Sequence, residues 1–126
     1  MNKVSMIILY VSDQERSRIF FEKVLQQIPL LHVPGMTEFL LTRDFKLGLM
    51  PEKSIAKILV PHTVHPDKAN GIPCCELYLI VKDPGESLQR AVQAGAKKIS
   101  DAGPRDWGDI VAYCADPDGH IIAFAK

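Results

Sequence analysis

The amino-acid sequence predicts an α+β fold built from two β-α-β-β-β modules, residues 1–50 and 74–126, joined by a connector at 51–73. Three observations carry the prediction. The segments "VSDQERS" at 11–17 and "VKDPGES" at 81–87 repeat Val, Asp and Ser at the same spacing, each where an apolar strand gives way to a helix. After each helix come three short runs with strand character. The last two runs flank "DPDG" at 116–119, where proline fixes φ and glycine admits positive φ, the ingredients of a turn between strands.

Each element follows from local chemistry. "VSMIILYV" near the start is an apolar strand, and Ser12 and Glu15 are expected to form a capping box at the first helix. That helix presents Phe20, Phe21, Val24 and Leu25 as one apolar stripe. "LLHVP", "TEFLLTRD" and "FKLGLMP" read as strands. The connector, with four prolines, is expected to be irregular apart from one helical turn at "SIAKILV". In the second module Asp83 is the expected N-cap, with Pro84 at N1 and Glu86 at N3. Leu88, Ala91, Val92 and Ala94 give the helix its face, and Gly95 ends it. "KKIS", "DIVAYCAD" and "HIIAFA" complete the strands.

Composition narrows the function classes. A chain of 126 residues makes one ordinary domain or two compact halves. Fifteen basic and fifteen acidic side chains cancel, so no global field favours nucleic acid or an acidic membrane surface as partner. Three cysteines, two of them adjacent at Cys74 and Cys75, form neither a disulfide framework nor a CxxC ligand pattern, which fits a reducing cytoplasm. The first apolar run is too short to span a bilayer and lacks the flanks of a signal peptide.

Two such modules, a V-x-D strand end before each helix and the closing DPDG hairpin resemble the vicinal oxygen chelate superfamily of glyoxalases, extradiol dioxygenases and bleomycin-resistance proteins. The segment "RDWGDIVAYCADPDGHIIAFA" at 105–125 is particularly similar to the bleomycin-resistance branch. The resemblance covers nearly the whole chain. It implies curved mixed sheets, each with its helix outside, enclosing a cleft between concave faces.

Metal-dependent members of this superfamily take ligands from inward positions on four strands. Carried over residue by residue, these positions fall on Met6, Gly48, Glu76 and Ala123. A thioether is a poor ligand for hard or borderline divalent metals, and glycine and alanine offer no donor. Only Glu76 could coordinate, so the resemblance implies neither a metal nor another cofactor here. The acids of "DPDG" lack the further oxygen ligands and terminal glutamate of an EF-hand loop and are expected to shape a hairpin. His62 and His65, bracketed by prolines in "PHTVHP", read as exposed connector residues. His32 and His120 stand singly at a strand and a turn, with no partner visible. Cys75 reads as inert packing, with nucleophilic catalysis the alternative.

Strand alternation places Met6, Ile8 and Tyr10 on one face of the first strand, and Glu76, Tyr78 and Ile80 on one face of its counterpart. Trp107, with Phe39 nearby, is expected to supply an aromatic platform for a flat or cationic ligand. Core packing is the alternative for each. Glu76, as a buried carboxylate, is expected to be paired, protonated, solvated or placed to meet a ligand's positive group. The reading that follows is a noncatalytic protein that sequesters a small apolar or aromatic compound, a cationic one bearing an amine toward Glu76 included, contacted by Met6, Ile8, Tyr10, Phe39, Glu76, Tyr78 and Trp107. The alternative is a divergent glyoxalase-like lyase or isomerase, or a dioxygenase-family enzyme, with Glu76 as its base. A third reading closes the cleft and leaves a module for protein association. Exposed sheet edges and the long connector point to a homodimer, with modules pairing within or between chains.

Overall fold

The computed structural model describes residues 3–126, which divide into two compact units with the boundary between Asn70 and Gly71. The first unit contains β1 (Ser5–Val11), α1 (Gln14–Leu25), β2 (Leu31–Val33), β3 (Met36–Thr42) and β4 (Phe45–Pro51). The second contains β5 (Glu76–Ile80), α3 (Pro84–Gln93), β6 (Lys97–Pro104), β7 (Ile110–Ala115) and β8 (Ile121–Ala125). Both sheets have the same order, β1-β4-β3-β2 and β5-β8-β7-β6, with the first strand of each unit parallel to the last and the remaining pairs antiparallel. The α+β architecture of two β-α-β-β-β modules is therefore as expected.

The connector is more ordered than its prolines suggested. Two turns of helix, α2 (Glu52–Leu59), follow β4 directly and pack on β1 and β4, and a short 3-10 turn covers Pro66–Ala69. Alanine, leucine and lysine favour helix between the prolines, and Ala56 buries its side chain.

Helix capping differs from expectation in the first unit. Asp13, not Ser12, caps α1, its carboxylate accepting the Arg16 amide at 3.0 Å. Ser12 instead accepts from the Arg16 guanidinium at 2.8 Å, and Glu15 pairs with Arg18. Asp13 occupies the place of Asp83 in the internal echo, and Asp83 accepts the Glu86 amide at 3.1 Å. A carboxylate there both satisfies an orphan amide and sets negative charge against the helix N-terminus.

Register divides each sheet cleanly into two faces. In the first unit Leu9, Val11, Thr37, Phe39, Leu47 and Leu49 are buried on the α1 side, where Phe20, Phe21 and Val24 meet them. In the second, Leu77, Ala112, Cys114, Ile122 and Phe124 are buried on the α3 side with Leu88 and Ala91. The opposite faces carry Met6, Ile8, Tyr10 and Gly48 in one unit and Glu76, Tyr78, Ala123 and Tyr113 in the other. Among the described residues no helix is long and apolar enough to cross a membrane.

Candidate functional site

On the first sheet, β1 alternation brings Met6, Ile8 and Tyr10 together as expected, with Ile8 and Tyr10 each 37% exposed. Gly48 pairs with Ile8 and lies beneath these side chains. A Cβ built there would come 3.1 Å from Ile8 Cγ1, 3.2 Å from Met6 Sδ and 3.3 Å from Met36 Sδ. The glycine thus makes room for a layer of apolar and thioether groups. Beside them Lys46 and Glu38 form a half-buried ion pair at 2.7 Å. Phe39 does not belong to this face. It is fully buried on the α1 side, its ring centroid 6.5 Å from that of Phe21, because one step along β3 inverts the side-chain direction.

The second sheet carries a more polar arrangement. Trp107 Nε1 donates to the Tyr78 hydroxyl at 2.8 Å, and that hydroxyl donates to Asp109 at 2.6 Å. The bond to Asp109 holds the Tyr78 phenol above its ordinary pKa, the Trp107 N–H opposing it more weakly, so Tyr78 remains a donor through neutral pH. Tyr78, Ala123 and Tyr113 are register partners on adjacent strands. The two tyrosines therefore stand about 9–10 Å apart at the backbone, with a fully buried alanine between them. Arg105 lies 5.0 Å over the Tyr113 ring. Asp109, Tyr113 and Arg105 were not singled out by sequence. Alternation along β7 could have placed Tyr113, but the tie through the Trp-Gly loop has no sequence signal.

Glu76 opens β5 and is exposed, so the cost assigned to a buried carboxylate does not arise. Its side chain is on the Tyr78 face, as alternation required. Trp107 is 58% exposed, as expected of an indole in a charged loop. These residues and the β1 set each form a coherent face within their own unit.

The remaining candidates resolve individually. Asp116–Gly119 forms the turn between β7 and β8, as read from "DPDG". Asp116 is buried, and its Oδ1 accepts the Asp118 and His120 amides at 2.9 and 2.8 Å. His120, expected to stand alone, has Nδ1 2.7 Å from Asp116 Oδ2. The carboxylate of Asp116 is thus engaged by its own turn, although Asp116, Asp118 and His120 cluster within 4.8 Å. His32 also has partners: Nδ1 is 2.7 Å from Thr37 Oγ1 and Nε2 3.5 Å from Glu15. It borders a cleft of about 450 Å³ at the start of α1, where the Gln14 carboxamide ties Val33, Gly35 and Thr37 together. His62 is exposed, and His65 caps the 3-10 turn through the Asp67 amide.

Cys75 is exposed rather than packed, because it precedes β5 instead of entering the sheet. Even so, partial burial of its thiol, with Cys74 beside it, raises its pKa and disfavours the nucleophilic thiolate. Cys114 is buried, and desolvation pushes its pKa up to about 12. Titration of the native protein with a thiol-disulfide reagent at pH 8 is therefore expected to count Cys74 and Cys75, with Cys114 reacting only after unfolding. Prompt reaction of all three would contradict the burial of Cys114.

Residues 4–126 match the family model described as a glyoxalase-like domain. An uncharacterized protein of Mycobacterium bovis is 27% identical over 115 residues, covering 89% of this chain and 75% of its own length. A glyoxalase-related enzyme from Fulvimarina pelagi matches with a TM-score of 0.82 and 22% identity over 99% of this chain and 88% of that one. A glyoxalase/bleomycin resistance protein/dioxygenase family enzyme from Burkholderia phytofirmans gives 0.76 and 14% over 95% and 94%. At these identities the structural likeness establishes the fold.

Proposed function

The chain belongs to the glyoxalase-like domain family, and from that premise we propose that it binds a small apolar or aromatic molecule without using a metal. The observation that carries this reading is the exposed Trp107–Tyr78–Asp109 chain on a sheet face. It offers an aromatic surface whose indole N–H and phenol O–H are already bonded, so a guest meets ring faces and apolar side chains without stripping these donors of water. A metal of the kind the family uses does not fit the residues present. Gly48 is crowded by two thioethers and an isoleucine, Ala123 is fully buried without a donor atom, and Glu76 alone supplies a carboxylate.

Trp107 is the single tryptophan, so its emission reports directly on this face. Titration with aromatic ligands is expected to change that emission, and Trp107→Ala is expected to weaken binding by about five- to tenfold, the scale of an aromatic contact. Ligands that bind with unchanged emission and tolerate the substitution would move the site elsewhere. Tight one-to-one uptake of zinc, nickel, cobalt, manganese or iron, abolished by Glu76→Ala, would replace the binding reading with an enzymatic one.

A further inference from the structure

We propose that the ligand received on the second sheet is an acid, its carboxylate held by Arg105; this rests on the ligand-binding reading above. Arg105 begins the Trp-Gly loop, which is closed by its own amide donating to the Asp109 carbonyl at 2.9 Å and by the Gly108 amide donating back at 3.0 Å. Its guanidinium lies over Tyr113, and Nη2 donates to Ser100 Oγ at 2.8 Å and to the Val111 carbonyl at 3.3 Å. Every one of these partners is neutral. Nε is buried with no acceptor, and among the described residues Arg105 has no carboxylate partner. Of the two acids in the loop, Asp106 is exposed and Asp109 is engaged by Tyr78.

The other half-buried cations among the described residues are treated differently: Arg18 pairs with Glu15 and Glu22, Arg90 with Glu86, and Lys46 with Glu38. A half-buried, oriented guanidinium without a counter-charge is costly in the free protein, and an incoming anion offsets that cost. Nη2 is committed to Ser100 and Val111 and Nε is buried, so Nη1, on a guanidinium already positioned by ring stacking, is the nitrogen that meets a carboxylate oxygen. Register places the cation and the aromatic surface on one face, since Ser100 pairs with Tyr113, Tyr113 with Ala123, and Ala123 with Tyr78. An aromatic acid would set its carboxylate at the β6–β7 side and its ring toward Tyr78. Glu76, exposed one row from Tyr78, sets like charge at the other end of the face and so disfavours the reverse orientation, weakly because water screens it.

A purely structural Arg105 would pin the irregular β6 to β7 without discriminating among ligands. Calorimetric titration with 1-naphthylacetate, its neutral amide and 1-naphthylmethylamine separates the two roles. The acid is expected to bind the wild-type protein at least about tenfold tighter than the amide, with the amine weakest. That preference is expected to shrink as salt is raised. Arg105→Gln is expected to bring the acid down to the amide's affinity, while Arg105→Lys keeps a smaller preference. Because the wild-type comparison stands alone, an unfolded Arg105→Gln protein leaves the test intact. Equal binding of acid and amide with a Trp107 response would overturn the acid assignment and spare the binding face. Binding of none of the three, with Trp107 emission unmoved, would remove both.

Discussion

Phe39→Ala is expected to lower the stability of the folded chain by about 3–5 kcal/mol, the range for truncating a buried phenylalanine. The ring is fully buried between β3 and α1, where Phe21 lies 6.5 Å away and Phe20 meets Phe21 edge-on at 5.0 Å. Its register partner Leu47 is also fully buried, so neighbouring atoms have little freedom to collapse into the space left behind. Leu40→Ala, one residue on, removes a side chain that is 36% exposed on the opposite face and is expected to cost markedly less. Urea unfolding followed by circular dichroism checks both, reading the midpoint at constant slope. Comparable losses for the two variants would refute the assignment of faces on β3. Binding on the second sheet should survive Phe39→Ala in the fraction that remains folded, because Phe39 contributes only to the core.

Gly119→Ala should cost about 2–4 kcal/mol, combining backbone strain with overpacking. Gly119 has φ +92°, a conformation that L side chains rarely adopt, and a Cβ there would lie 2.5 Å from the Gly71 carbonyl oxygen and 3.1 Å from its Cα. Both obstacles are backbone, so no rotamer change relieves them. The turn cannot easily move away, because the Asp116 amide donates to the His120 carbonyl at 2.8 Å and the Gly119 amide to the Asp116 carbonyl at 3.0 Å. Gly35 is the control: its φ is +95°, but nothing lies within 4 Å of a built Cβ. Gly35→Ala should therefore show the conformational term alone, about 1–2 kcal/mol. Thermal melts of the two variants that coincide would show that Gly71 does not constrain the turn.

The sequence by itself determined the two modules, the β-α-β-β-β succession in each and the DPDG hairpin, because helix starts, turn residues and strand alternation are written over a few consecutive positions, whereas the sheet order came from the structure. It also placed Met6, Ile8 and Tyr10 on one face and Glu76 with Tyr78 on another, since a period of two needs no long-range information. It missed α1's true cap by one residue, as Ser12 and Asp13 are both good caps and only the backbone selects between them. Phe39 fell on the wrong face because proximity to Trp107 was inferred from residue type, whereas register with Leu47 decides its direction. Exposure of Glu76, the partners of His32 and His120, the Trp107–Tyr78–Asp109 chain and the neutral surroundings of the Arg105 guanidinium belong to the tertiary structure alone. Each depends on side chains from separate strands or loops meeting at a few ångströms, or on what covers a residue, and neither quantity has a local signature along the chain.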